Sequence, residues 1–200
     1  GVSSNSHKAI NNLLSHVEQV AEEQGFSFQG VKKSTKDESM FNGRFIQDVF
    51  SNENALSMDW QLVAGTAWLF SDPRTDRLLD FLFVDEAGQV ALANLIAMGT
   101  SARNIVLLGD QMQLGQPIQG IHPGRSGESS LDYLLNGMAT IPPERGIFLN
   151  TTWRMHPDVC GFISEAVYDG RLKPEPSNIN RRLVLGKGAH PLLKRSGVAY

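Results

Sequence analysis

The sequence predicts an α/β fold with a mostly parallel sheet and helices on both faces. Three observations carry this. Short apolar runs alternate with helix-patterned stretches along the chain. Two of those runs, "LDFLFVD" and "NIVLLGD", stay apolar through the centre and stop on an acid. Finally, 200 residues with 41% apolar content suffice for one globular domain, or one and a fraction.

Taken in order, residues 6–24 carry Ile10, Leu13, Leu14, Val17, Val20 and Ala21 near helical spacing, with Gly25 as the stop. "FSFQGV" (26–31) alternates as a strand does, and "KKSTKDESMFNG" (32–43) reads as a polar loop. A short helix is expected over 44–51. "WQLVAGTA" (60–67) and "LDFLFVD" (79–85) are expected strands, the second buried on both faces. A helix over 89–98, a buried strand in "NIVLLGD" (104–110) and a helix over 127–137 follow. "GIFLN" (146–150) reads as a late strand, and Pro157 suits the first turn of a helix over 157–168. From Lys173 the chain is rich in Pro, Gly and Arg and is expected to be irregular at first. A composition shift at "TIPPERG" (140–146) divides a nearly complete domain, 1–145, from the opening of another, 146–200. Neither an internal repeat nor a low-complexity tract is visible.

Composition narrows the function. A net charge of −3 excludes a chain that lives only by gripping nucleic acid through bulk positive charge, so any such contact must use a local groove. The single cysteine, Cys160, permits no internal disulfide, and a reducing cytoplasm is the expected setting. No run approaches the ~20 apolar residues of a membrane span, and no signal peptide opens the chain. "GVSSNSHKAI" lacks Met and enters mid-pattern, as a fragment would.

The acidic strand ends are the strongest chemical signal. In open parallel sheets the carboxyl ends of the strands line the ligand crevice. "FLFVDEAGQ" places Asp85 and Glu86 there, and "NIVLLGDQMQL" places Asp110, with Gln111 and Gln113 close behind. One carboxylate can hold Mg²⁺ through its water shell while the next orients or deprotonates an attacking water. The alternative is that Asp85 and Asp110 merely cap following helices; two such ends in sequence favour the chemical reading.

These motifs resemble a known family. "VDEAGQ" and "LLGDQMQLGQP" are similar to motifs II and III of superfamily-one helicases, in the branch whose motif II reads DEA-x-Q. "TTWRMHPDVCGFISEAVYDGRL" (151–172) resembles motif IV of that branch, "SSNSHKAINNLL" (3–14) its motif Ia, and "LVAGTAWLF" (62–70) the next DNA-facing motif. The likeness runs through nearly the whole chain in the right order. Around "IPPERGIFLNTTWRMHPDVC" it looks most like bacterial helicases fused to a RecB-type nuclease. The resemblance implies a P-loop NTPase, RecA-like sheet, with ATP and Mg²⁺ as cofactors. Its implied partners are single-stranded DNA or RNA, the remainder of a parent helicase and a fused nuclease domain, with no membrane.

By the same resemblance Asp85 would hold Mg²⁺ and Glu86 would activate water. Gln113 would contact the γ-phosphate and link it to the nucleic-acid side. Asp110 would buttress that loop, and Gln89 would hold Glu86 or the same loop. Arg154, in "WRMHP", would reach the γ-phosphate from the second domain; its bland alternative is a surface pair with Asp158. Ser4, Asn5 and Ser6, at a strand-to-helix turn, would offer hydroxyl, amide and N–H groups to phosphates. Thr66 would do likewise, and Trp68 would stack on a base or else sit in the core. Lys8 and His7 fit either a phosphate contact or a solvated helix face. His122 and His156 lack metal-ligand spacing, and Cys160 reads as packing.

One family element is missing. Nowhere is there a G-x-x-x-x-G-K-S/T phosphate loop; "GQPIQGIHPGRSGES" (115–129) is glycine-rich but has no lysine. In the family that loop precedes motif Ia, and the motifs after IV would follow Tyr200. The chain is therefore expected to be the middle of a motor, inactive by itself. An RNA helicase of similar build and a non-catalytic helicase-like module are the rival readings.

Overall fold

The computed structural model describes residues 1–115, 120–190 and 193–197. Two compact units form, Gly1–Asn136 and Gly137–Tyr200, divided ahead of "TIPPERG". In the first unit the strands are β1 (Val2–Ser3), β2 (Gly30–Lys33), β3 (Ile46–Val49), β4 (Leu62–Ala64), β5 (Leu79–Val84) and β6 (Ala102–Leu107). They form one six-stranded sheet in the order β3-β2-β4-β1-β5-β6, and every pair is parallel. The predicted α/β class with a parallel sheet is what is observed.

Helix α1 (His7–Glu23) forms where the spacing places it. Ser6 caps it by accepting the N–H of Ala9, and the chain leaves through Gly25 at φ +64, a conformation glycine adopts without a Cβ penalty. Its apolar stripe buries Ile10 and Leu14 completely against Val2, Ile46 and Ala64, worth about 1.5–3 kcal/mol per side chain. A second cluster contains Val63, Leu69, Phe70, Leu82, Val84 and Met98. Short helices α2 (Asn52–Ala55), α3 (Ala67–Phe70), α4 (Leu92–Gly99) and α5 (Ser130–Leu135) contribute to it.

Several expectations are corrected. The strand expected over 26–31 begins only at Gly30 and runs on to Lys33, while Phe26 and Phe28 stack on each other at 6.3 Å instead. The 44–51 helix is strand β3 followed by α2. Its apolar alternation is broken because Asp48 points inward, to a buried partner in Lys32. Strand β5 is buried on one face only: Leu82 and Val84 are sealed, but Phe81 and Phe83 are 51% and 39% exposed. Strand β6 pairs with β5 alone, an edge position that leaves Ile105 40% exposed.

In the second unit β7 (Thr151–Thr152) pairs in parallel with β8 (Lys173–Pro174), and α6 (Pro157–Val167) starts on its proline. "GIFLN" forms no strand; Ile147 and Leu149 are 85% and 79% exposed, and the ladder begins one residue later. Cys160 is buried on α6, where burial pushes its thiol up and Sγ lies 3.8 Å from the Leu172 carbonyl. The glycine-rich 115–129 segment falls partly outside the described residues. None of the described helices is long and apolar enough to cross a membrane.

Candidate functional site

Backbone hydrogen bonds at the carboxyl edge of the first unit stitch three adjacent strand ends together. Asp85 donates its N–H to the Ser3 carbonyl at 2.8 Å, and Ala87 donates to Leu108 at 2.8 Å. The ends of β1, β5 and β6 are therefore fixed side by side, with Ser4–Ser6, Asp85–Gln89 and Asp110–Gln113 leaving them in turn.

The turn after β5 is shaped by close backbone approach. A Cβ on Gly88 would stand 2.4 Å from the Asp110 carbonyl oxygen, and one on Gly109 would stand 2.8 Å from the Ala87 nitrogen. These two glycines let the turns after β5 and β6 lie directly against each other. Glu86 occupies the left-handed region at φ 53, ψ 40, a strain of roughly 1–3 kcal/mol for a residue with a side chain. It precedes the short 3-10 turn Ala87–Gln89, but its carboxylate does not cap that turn. Asp85 is half-buried and Glu86 exposed; neither carboxylate carries a hydrogen bond or ion pair among the described residues. The helix-capping alternative for Asp85 is thus not what is seen.

Asp110 plays a local structural part. Its carboxylate accepts the N–H of Met112 at 2.9 Å and the side-chain amide of Gln113 at 3.1 Å. Gln113 is exposed and held toward this edge by that bond. The carbonyl of Gln89 accepts the Asn5 amide at 2.7 Å, tying the β1 turn to the β5 turn. Asn5 therefore spends a donor inside the protein, and Ser6 spends its hydroxyl on capping α1. Ser4 is 3% exposed, and its hydroxyl has no partner among the described residues. Thr66 stands at the start of α3 without a side-chain cap bond, and Trp68 is 81% exposed, which removes the core reading of that tryptophan.

Sequence reasoning missed a buried ion pair beside this edge. Lys32 and Asp48 face each other in register on β2 and β3, with side chains 0% and 2% exposed and Nζ 3.7 Å from Oδ1. Burial pushes the Lys32 ammonium pKa down, and Asp48 partly restores it. Opposite charges at matching strand positions were the available signal, but register is invisible in one dimension. His7, beside Thr35 at 3.2 Å, is also pushed down, first by burial and then by Lys32 and Lys33.

Within the second unit, Arg154 lies exposed between β7 and α6. Its N–H reaches Thr152 Oγ1 at 3.4 Å, and its guanidinium makes no ion pair among the described residues. Asp158 does not pair with it; that carboxylate accepts the Ser196 hydroxyl at 2.6 Å. His156 caps α6 by accepting the N–H of Asp158 at 3.1 Å, so the helix start is set two residues beyond Arg154.

The residues present are compatible with a magnesium ion that keeps most of its waters. Mg²⁺ keeps several waters and takes one or two carboxylates plus substrate phosphates. Asp85 supplies one free, half-buried carboxylate, and no group of His, Cys, Asp and Glu among the described residues forms an all-protein cage.

No family model matches the chain. Three curated proteins are similar to it. "Probable helicase MAGATAMA 3" of Arabidopsis thaliana is 27% identical over 84% of this chain and 19% of its own length. "DNA replication ATP-dependent helicase/nuclease dna2" of Schizosaccharomyces pombe is 30% identical over 57% of this chain and 8% of its own length. "DNA polymerase alpha-associated DNA helicase A" of Saccharomyces cerevisiae is 29% identical over 58% of this chain and 18% of its own length. The chain spans less than a fifth of each of these relatives. The distant homologues of this chain are helicases.

Proposed function

We propose that the chain is the central part of a superfamily-one helicase of the DEA-x-Q branch, of the kind fused to a RecB-type nuclease. In the parent protein it would use Mg-ATP hydrolysis to move 5′ to 3′ on single-stranded DNA and unwind duplexes. The observation that carries this reading is the stitching of β1, β5 and β6, which puts two free carboxylates beside the Asp110–Gln113 turn and the β1 turn.

Each side chain then has a defined task. Asp85 holds the metal through its free carboxylate. Glu86 takes a proton from the attacking water, and the exposure of its carboxylate suits that task. Gln113, steadied by Asp110, touches the terminal phosphate, while Gln89 and Asn5 connect the β5 turn to the β1 end. The metal-bound nucleotide supplies the cleavable phosphoanhydride and the charge that these groups manage. Arg154 spreads positive charge over the transferred group. Its approach and withdrawal with each hydrolysis would let two nucleic-acid grips alternate. Asn5, Ser6, Thr66 and Trp68 form one of those grips, through backbone N–H groups, the Thr66 hydroxyl and a ring for stacking, while Ser4, expected there from the sequence, is 3% exposed and lies beneath that surface.

The domains in this reading are a partial RecA-like unit, 1–145, and the opening of a second, 146–200. The test is ATP turnover and strand displacement by the full-length protein on DNA and RNA duplexes with matched single-stranded tails. Displacement of DNA that is lost in Glu86→Gln is expected. Displacement of RNA alone would transfer the reading to an RNA helicase, and binding without turnover in the native protein would reduce it to a non-catalytic module. The chain of 200 residues alone is expected to hydrolyse ATP negligibly, since it contains no G-x-x-x-x-G-K-S/T loop.

A further inference from the structure

The two faces of the first unit's sheet are covered unequally. Partners in register share a face, so Val2, Ala64 and Phe83 point to one side. Phe81, two residues before Phe83 on β5, joins them there. Helix α1 seals Val2 and Ala64 on that side. Past β1 the cover stops: Phe81 and Phe83 are both exposed, their ring centroids 6.4 Å apart. On the opposite face Leu82 and Val84 are sealed, packed with residues of α3 and α4. All-parallel sheets carry helices over both faces, because their crossovers lay them there. The paired phenylalanines stand where such a sheet carries a helix.

The hand of the crossovers says which helix. Connections between parallel strands are right-handed, so in the order β3-β2-β4-β1-β5-β6 direction and face are tied together. Moving toward β3, the chain runs over the α1 face. Helix α1 links β1 to β2, and the β2–β3 connection touches α1 where Thr35 meets His7 and where the Met40 carbonyl accepts the Asn11 amide. Moving toward β6, it runs over the other face. Helices α2, α3 and α4 lie in the β3–β4, β4–β5 and β5–β6 connections, and their Ala55, Leu69, Phe70 and Met98 join the cluster of Leu82 and Val84. A helix over Phe81 and Phe83 must therefore belong to a crossover that travels toward β3 from a strand beyond β6. Strands β2 to β6 are each reached through a described connection. Such a crossover lands on β1.

We propose that Phe81, Phe83 and the outer edge of β6 form the docking surface for one strand-and-helix segment of the parent polypeptide, placed ahead of β1 in sequence. Its strand pairs in parallel with β6, which has a ladder partner on one side only among the described residues. Its helix lays an apolar stripe across the two rings. The relatives have chain to supply such a segment, since this chain spans less than a fifth of each. This rests on the reading above only where that reading makes the chain the central part of a longer protein.

The test places the photoreactive analogue benzoylphenylalanine at position 81 or 83 of the full-length protein, one at a time, and maps the cross-linked peptides by mass spectrometry. Cross-links to sequence ahead of Gly1 are expected from both positions. Cross-links to residues 137–200, to sequence after them or to a second molecule would overturn the docking, as would none from either position. A milder variant covers failure of the analogue to fold. Phe83→Cys in the full-length protein is expected to lose maleimide labelling under conditions that label Lys36→Cys fully, and equal labelling of the two would overturn the docking. ATP turnover of the unmodified protein is read alongside. Upstream cross-links without turnover would overturn the helicase reading and leave the docking standing, whereas turnover without them would do the reverse.

Discussion

At the end of β5 the Asp85 and Glu86 carboxylates stand without a hydrogen bond or ion pair among the described residues. At β2 and β3, on the far side of the same sheet, Lys32 and Asp48 are sealed from solvent and surrounded by donors and acceptors. One half exposes its charges on a strained, tightly packed turn; the other hides them and spends them on holding a loop. The difference separates charge left without a protein partner from charge consumed in building structure. A buried charge is tolerable only when fully paired, so it is committed to structure. In the function proposed above, the unpaired Asp85 carboxylate, with Glu86 held left-handed beside it, takes its partner from outside.

The contrast can be broken most directly at Glu86. In the full-length protein Glu86→Gln is expected to lower ATP turnover by about 10²–10⁴-fold, the usual worth of a positioned base, with the unfolding midpoint unchanged or raised. Turnover near the native value would remove the distinction. The opposite behaviour is expected at Asp48. Asp48→Ala strands the Lys32 ammonium in the core and should cost about 3–5 kcal/mol of stability in a denaturant titration, whereas the double replacement Lys32→Met with Asp48→Leu should recover most of the loss. Failure of the double variant to recover stability would mean the pair is not the determinant.

Smaller effects sharpen the comparison. Gly88→Ala places a Cβ against the Asp110 carbonyl and is expected to cost about 1–3 kcal/mol by overpacking, with turnover reduced because the Asp110–Gln113 turn shifts. The smallest effect concerns pH. The folded state holds His7 below the ordinary imidazole range, so between roughly pH 7 and 5 the unfolded chain binds more protons than the native one. Stability therefore falls as the medium is acidified through that window, and the loss should be shallower in His7→Gln when thermal midpoints are compared at the two ends. Lys32, Lys33 and Asp48 are the charged groups acting on that ring.

Local pattern carried much of this molecule. Helix 7–23 was legible because its apolar residues repeat at 3.6 and its ends bear a serine cap and a glycine stop. The acid-terminated β5 was legible because an apolar run that stops on acids marks the carboxyl end of a strand, and a second such end follows in "NIVLLGD". Strand β3 was not, because inward Asp48 interrupts the alternation and makes sense only once Lys32 lies across from it. "GIFLN" misled in the other direction: its alternation is that of a strand, but pairing needs a neighbour, and the ladder forms at Thr151–Thr152 instead.

The order of residue types along the chain was enough to settle the α/β class, the long first helix and the acids that follow β5 and β6, since each depends on neighbours a few positions away. Three things needed the folded sheet: which strand lies beside which, how closely the Gly88 and Gly109 turns approach, and whether a charged side chain is paired or free. All three depend on contacts between residues far apart in sequence, and only packing in three dimensions chooses those partners.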